Sequence, residues 1–312
     1  MISFGPVPSR RLGKSLGINN IPSRKVCSYA CTYCQVGRTY KHTSKREQFY
    51  SPEVLFFEVQ KHISALKEED KPDYLSFVAN GEPTLDINIG QSIQKLKELG
   101  IPIAVITNAT LLTDEQVRDE LCLASWVSVK VDAGNASTWK TINRPCTGLL
   151  FEEYLDGISK FATQFNGTLA TETMLVSGVN DSTEALKQIA SIVEKVNPSA
   201  AYLSIPTRPP TAQSVHAPSE LAVNEGFQIF KDRNINVELL LGFEGTNYGH
   251  TGNIFEDIVN ISTVHPIRED AMLEFIKKSG ADPSILNDLL QSDYIKKVQY
   301  KSDTYYIRYF HL

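Results

Sequence analysis

Along most of the chain, short apolar runs rich in β-branched residues alternate with stretches whose apolar positions recur at helical spacing. The runs at 74–78, 103–107, 126–131, 169–176, 201–205 and 235–241 read as strands. Segments such as IAVIT and VELLL are apolar without polar alternation, the pattern of strands covered on both faces. Between them the helix signals are clear. Ser51-Pro52-Glu53 supplies an N-cap and a first-turn proline ahead of Val54, Leu55, Val59 and Ile63. Thr113 with Gln116 forms a capping-box pattern before Val117, Leu121 and Leu123. Asp181 with Glu184, and Pro218-Ser219, open two further helices. Strands recurring roughly every 25–40 residues with helices between them imply βα units around a parallel sheet. Right-handed crossovers wind such units into a partial TIM-type (β/α)6 barrel, an α/β fold.

After about residue 260 the rhythm changes. Residues 268–279 and 283–291 read as helices, and 294–300 and 304–310 as a hairpin turning at Lys301-Ser302-Asp303. Helix, helix, hairpin is the order of a winged-helix-like module, so a barrel domain at 1–258 is expected to precede a small module at 259–312. The alternative for that segment is a cap covering the barrel edge. Its helices carry Arg268, Lys277 and Lys278 but also Glu269, Asp270, Glu274 and Asp288, which does not favour duplex binding. Near the start, Leu12-Gly13-Lys14-Ser15 is not a phosphate loop, because position 8 is proline and no long apolar strand precedes it. It reads as a turn in an N-terminal hairpin close to a cysteine-rich loop.

The 312 residues, 42% hydrophobic and 21% charged, are ordinary for a globular protein and ample for a core without disulfides. No run of about 18 apolar residues and no signal-peptide pattern occurs, so a cytoplasmic protein with reduced thiols is expected. Residues 1–50 hold nine Lys/Arg against Glu47 alone, a balance of +8, while the remainder carries 22 basic and 35 acidic residues. That is either a cationic surface for phosphates or an anionic partner, or a solvated rim.

Three of the five cysteines fall within Cys27-Ser-Tyr-Ala-Cys31-Thr-Tyr-Cys34. Thiolates ligate iron–sulfur clusters and zinc alike. A cluster is favoured because three ligands leave one iron of a four-iron core open, as a catalytic site requires. Structural zinc wants a fourth ligand, and the nearest candidate, His42, fits no common finger spacing. Cys122, between Leu121 and Leu123, reads as a buried thiol, and Cys146 has no assigned role. Glu172 stands inside an apolar strand, where an unpaired carboxylate is costly, so it is either paired in the core or lines a cavity. His216, His250 and His265 are scattered without ligand spacing.

CxxxCxxC near the start of a repeated βα chain resembles the signature of the radical S-adenosylmethionine (SAM) superfamily. Asn80-Gly81-Glu82-Pro83 after the strand YLSFVA resembles that family's GGEP turn, with Asn80 where glycine is commoner. Thr107-Asn108-Ala109-Thr110 is similar to its TNGT, and Lys130-Val131-Asp132 ends the next strand. Glu172-Thr173-Met174-Leu175-Val176 leads into Gly178-Val179-Asn180-Asp181, similar to its G-x-N-D turn. The likeness spans roughly residues 5–245.

The resemblance implies a [4Fe-4S] cluster on Cys27, Cys31 and Cys34, with SAM on the open iron. It implies the Gly81 backbone and the Glu82 carboxylate at the SAM amino group and Tyr33 beside the adenine. Asn108, Lys130 and Asp132 would reach ribose or carboxylate, with Asn80 and Met174 also in the cofactor set. Asn80, Glu82, Asn108, Asp132, Arg208 and Glu244 all fall at or past strand ends, where parallel α/β sheets bind ligands. The implied chemistry is reductive SAM cleavage to a 5′-deoxyadenosyl radical that abstracts a substrate hydrogen. A reductant such as flavodoxin or ferredoxin is the implied partner, and a monomer is expected. GPVPSRRLGKSLGIN resembles the opening of a branch related to wyosine-type tRNA modification, which with the +8 segment points to a tRNA base as substrate. The alternatives are an activase for a glycyl-radical enzyme and, from another class, a zinc-stabilised nucleic-acid-binding regulator.

Overall fold

The computed structural model describes residues 2–22, 24–242 and 245–309. The chain opens with the hairpin β1 (Ser3–Ser9) and β2 (Gly13–Ile18), followed by the short pair β3 (Val26–Cys27) and β4 (Lys41–His42). Then come α1 (Pro52–Ala65), β5 (Tyr74–Phe77), α2 (Ile89–Leu96), β6 (Ile103–Thr107), α3 (Glu115–Leu121) and β7 (Trp126–Lys130). The βα rhythm continues with α4 (Ala136–Ile142), α5 (Phe151–Gln164), β8 (Thr168–Met174), α6 (Thr183–Val196), β9 (Ala200–Ser204), α7 (Glu220–Lys231) and β10 (Val237–Leu240).

One eight-stranded sheet runs β1-β2-β5-β6-β7-β8-β9-β10, parallel from β2 onward. It curls into a partial TIM-type barrel with seven parallel strands, one more than the six apolar runs predict. The seventh is β2, whose sequence GKSLGI has no apolar run. Its small residues have a packing reason: a Cβ on Gly17 would fall on the Phe4 ring.

Side chains on successive strand positions point to opposite faces. One face of β6, β7 and β8 carries Ile103, Val105, Val127, Val129 and Leu169, all packed in the main core beneath the helices. The opposite face carries Ala104, Trp126 and Ala170, which with Ala200, Tyr202, Leu240 and Leu12 form a smaller inner core. Leu12 lies in the tip of the N-terminal hairpin, so that tip plugs the barrel interior.

The helices start where polar caps stop the backbone amides from going unpaired. Ser51 and Ser219 cap α1 and α7 as expected. At α3 the cap is Asp114, whose carboxylate accepts from Gln116 N, rather than Thr113; at α6 it is Ser182, rather than Asp181. In each case the residue one step later is in extended conformation with its oxygen over the first turn, and that geometry decides between adjacent capping types.

Beyond β10 the chain forms α8 (Ile254–Val264), β11 (Ile267–Arg268), α9 (Glu269–Ser279), α10 (Ile285–Gln291), β12 (Ile295–Tyr300) and β13 (Asp303–Arg308). The hairpin pairs with β11 in the order β11-β13-β12. The segment's core joins Ile258, Ile261, Ile267, Met272, Phe275 and Ile295 to Phe4 and Val7 of β1. These elements therefore cover the outer face of an edge strand, as edge strands require. The boundary expected after 258 falls inside α8. Two contacts draw the chain beyond β10 to the β1 edge: Gly249 N donates to Pro6 O (2.8 Å), and Arg10 Nη2 donates to Gly242 O (2.9 Å). Lys278 of α9 reaches back to Asp70 at 2.6 Å.

Candidate active site at the carboxyl ends of the parallel strands

The cysteine loop is pinned at both ends. Val26 pairs with Gly81: Val26 N donates to Asn80 O (3.2 Å) and Glu82 N donates to Val26 O (3.0 Å). Gly81 sits at φ +140°, and a Cβ there would fall on the Val26 carbonyl, so only glycine allows this approach. Farther on, Ala30 N donates to Asn143 O (3.0 Å) and Thr32 N to Ile142 O (2.9 Å). On the other side Ala212 N donates to Thr32 O (3.0 Å) and Thr211 Oγ1 to Cys34 O (2.6 Å). The loop after β9 thus clasps the second half of the motif.

Each of the three thiols receives an N–H donor. Tyr29 N (3.4 Å) and Asn108 Nδ2 (3.7 Å) donate to Cys27 Sγ, Asn143 Nδ2 to Cys31 Sγ (3.6 Å), and Lys25 Nζ to Cys34 Sγ (2.9 Å). Burial pushes the Cys27 thiol up, and burial with the neighbouring Cys34 and Asp132 pushes Cys31 to about 11. Such thiols are neutral until a metal's own charge displaces their protons, which a coordinating centre does outright. Donors aimed at sulfur are the surroundings an iron–sulfur cluster uses, so the residues present fit that group. His42 Nε2 lies 3.2 Å from Ser28 O, and among the described residues no three His, Cys, Asp or Glu side chains, the three cysteines included, converge on a point where one ion could sit; a four-iron core differs in taking each thiolate on a separate iron. Nothing described supplies a fourth ligand for zinc.

Around the thiols stand the predicted strand-end residues. The Glu82 carboxylate accepts four bonds from the protein: Thr84 N (3.1 Å), Thr84 Oγ1 (2.7 Å), Thr107 Oγ1 (2.6 Å) and Asn108 N (2.7 Å). Burial raises its pKa against these donors. The carboxylate thereby braces the 80–82 turn against the end of β6. Asn108 turns its amide toward Ser28 Oγ (2.8 Å) as well as Cys27, tying that strand end to the loop. Asn80 donates its N–H to Asn19 Oδ1 (2.7 Å).

Asp132 is a hub. Oδ2 accepts from the Tyr33 hydroxyl and from Asn143 Nδ2 (2.7 Å), and Oδ1 accepts from Met174 N (2.8 Å). Asn180, of the G-x-N-D turn, donates to Asp132 O and Met174 O, both at 2.8 Å. Lys130 Nζ lies 5.3 Å from the Tyr33 ring centre and 2.9 Å from Glu172. Glu172 also pairs with Arg11. Burial alone would raise its carboxyl, but Arg11 and Lys130 outweigh burial and hold it at about 2. Glu172 is therefore paired inside the barrel. Met174 presents its sulfur 3.8 Å from Ser204 Oγ.

The structure places Cys27, Cys31, Cys34, Tyr33, Asn108, Lys130 and Asp132 around one strand-end region and adds Lys25, Asn143 and Arg11, which sequence reasoning does not single out. Asn143 caps α4 outside any motif, and no local signal marks it. Lys25 precedes the motif and was legible only as one charge among nine. Arg208, expected at a strand end, bonds Gln35 Oε1 (3.1 Å) and His265 Nε2 (3.1 Å). Burial, with Arg208 next to it, holds His265 well below its ordinary pKa and so neutral. Glu244 lies outside the described residues. Cys122 is half-buried at the end of α3, and Cys146 is buried with its N–H on Ser28 O (2.9 Å).

Comparison with known proteins agrees with this geometry. A family model described as the radical SAM superfamily matches residues 21–189. A UPF0026 protein of Methanocaldococcus jannaschii is 41% identical over 98% of this chain and 96% of its own. A UPF0026 protein of Synechocystis is 36% identical over 67% of this chain and 77% of its own. Among solved structures, a radical SAM methyltransferase from Sphaerobacter thermophilus superposes with a TM-score of 0.55 at 15% identity, over 73% of this chain and 66% of that one. At that identity the likeness is one of fold.

Proposed function

The chain belongs to the radical SAM superfamily, and on that premise we propose that Cys27, Cys31 and Cys34 hold its [4Fe-4S] cluster. Members of the family use that cluster and SAM. When bound, the pair supplies a 5′-deoxyadenosyl radical that takes a hydrogen atom from the substrate. The observation that carries this reading is the set of N–H donors, one or more on each thiol, in a loop braced against the 80–82 turn.

The chain's own residues bind and orient. Gly81 leaves its backbone open for the amino acid end of SAM, with Asn80 and Glu82 fixing the turn. Tyr33, oriented by Asp132, offers a ring face for the adenine. Asn108, Lys130, Asp132 and Met174 line the strand ends toward the rest of the cofactor. The buried Arg11–Glu172–Lys130 group keeps a charged, water-poor interior beneath it, where fixed dipoles act strongly. An external low-potential reductant such as flavodoxin or ferredoxin delivers the electron.

For the substrate we favour a tRNA base. The support is a surface beside the cysteine loop on which Arg24, Arg38, Lys41 and Lys45 are exposed and Arg24 lies 4.5 Å over the Tyr40 ring. Cations interleaved with an exposed aromatic suit a phosphate backbone and an unstacked base.

Anaerobic reconstitution tests the reading. The expected result is about four irons per chain with a band near roughly 400 nm, 5′-deoxyadenosine formed from SAM under dithionite, and loss of both in Cys31→Ala. Protein with intact thiols that never takes up iron would sink it. The same preparation, offered tRNA, should bind it with an affinity that falls steeply with salt; salt-insensitive or absent binding removes the tRNA reading alone.

A further inference from the structure

Lys25 lies two residues before Cys27, buried at 6% exposure, with its ammonium turned inward. Its Nζ donates to Cys34 Sγ (2.9 Å) and Gly37 O (3.0 Å), and its charge faces Cys34, Cys27 and Cys31. Its backbone is fixed from two sides: its carbonyl accepts from Tyr40 N (2.9 Å) and Lys41 N (3.1 Å), and the next residue pairs with the 80–82 turn. Among the described residues no carboxylate meets this ammonium. Lys130, the other buried cation nearby, is instead occupied by Glu172.

A buried ammonium whose hydrogen-bond partners are a carbonyl and a sulfur, with no carboxylate beside it, lacks a counter-charge, and that is costly. The arrangement becomes favourable once the thiols are metal-bound anions. We infer that Lys25 is an electrostatic positioning residue for the cluster, acting through Cys34 to raise its reduction potential. The inference rests on the cluster reading given above.

The sign follows from charge. Reduction delivers one electron from an external low-potential donor, taking the cluster from 2+ to 1+ and adding one negative charge. A fixed cation in a poorly solvated site favours the more negative state, since net charge and hydrogen bonds to sulfur set such potentials. Removing the cation therefore makes the cluster harder to reduce.

The test is an anaerobic redox titration followed by the electron paramagnetic resonance of the reduced cluster, on wild type, Lys25→Gln and Lys25→Arg, each with iron counted. Glutamine keeps an N–H donor without charge, and arginine keeps the charge. With wild-type iron content, Lys25→Gln should show at least a tenfold smaller reduced-to-oxidised ratio at fixed potential, a negative shift of about 59 mV for one electron. Lys25→Arg should stay within about threefold of wild type. An unshifted Lys25→Gln overturns the inference, as does a Lys25→Arg shifted as far as Lys25→Gln. So does loss of iron from both variants, which would make Lys25 a brace for the loop and not a charge for the cluster. Wild-type chain without iron strikes down the cluster reading, and this inference with it; the other failures leave that reading standing.

Discussion

A carboxylate in the middle of an apolar strand demands a partner, and Glu172 has two. It is 11% exposed, against 16% for Arg11 and 15% for Lys130, so solvent screens the group little. Glu172→Gln leaves two cations facing each other without their anion and should cost roughly 3–5 kcal/mol in denaturant unfolding. Its pH dependence has a definite sign. The folded carboxyl sits at about 2 where the ordinary value is 4.5, so its stabilisation is complete above pH 4.5 and fades as pH falls toward 2. Wild type should lose stability through that window more steeply than Glu172→Gln. The need for a partner was legible in the sequence, because the cost of an unpaired buried charge is general. The identity of Arg11 was not: a contact across 161 positions exists only once the hairpin tip enters the barrel. The cysteines stood out by their spacing and Gly81 by the resemblance of its turn to a family motif, whereas Asn143 acts through an amide that any surface asparagine also carries.

At the scale of elements, strand placement was readable to within a residue or two wherever both faces were apolar. β2 was expected as one arm of an N-terminal hairpin but not as a strand of the parallel sheet, because Gly13, Ser15 and Gly17 trade side-chain bulk for close packing and leave no apolar run. Helix starts erred by one residue at α3 and α6, since Thr, Asp and Ser all cap and only backbone geometry chooses among neighbours. The difference is measurable. Asp114→Ala should lower stability by about 1 kcal/mol through loss of the bond to Gln116 N, and Thr113→Ala by only a few tenths. Paired thermal melts of the two variants check it, and the reverse ranking would return the cap to Thr113. The same caution applies to the loop after β9, whose clasp on Thr32 and Cys34 has no signature in a segment rich in proline and threonine.

Over the whole molecule, the barrel and the C-terminal elements meet along the outer face of β1 and again at the loop after β9, where Tyr305 Oη donates to Thr207 O (2.8 Å) and Tyr300 Oη to Pro206 O (3.2 Å). Asp70 is 4% exposed in its side chain and takes its ion pair from Lys278 on α9, which also donates to Tyr248 O (2.9 Å) and Asn247 Oδ1 (2.9 Å). Lys278→Met strands a buried carboxylate at that seam and should cost roughly 3 kcal/mol. Hydrogen exchange should then rise at β1 and α9 together, while the strand ends that carry the cysteine site keep their protection; exchange confined to α9 would show that the two parts are not coupled there.

Phe4 and Val7 of β1 find their second layer of neighbours in α8 and the helices after it, some 250 positions later along the chain. A ribosome adding about 5–20 residues each second therefore holds this apolar edge naked for tens of seconds while the rest of the sheet is already assembling. Nascent-chain chaperones have their natural target in that interval, and overly rapid expression should fail first by edge-to-edge association at β1.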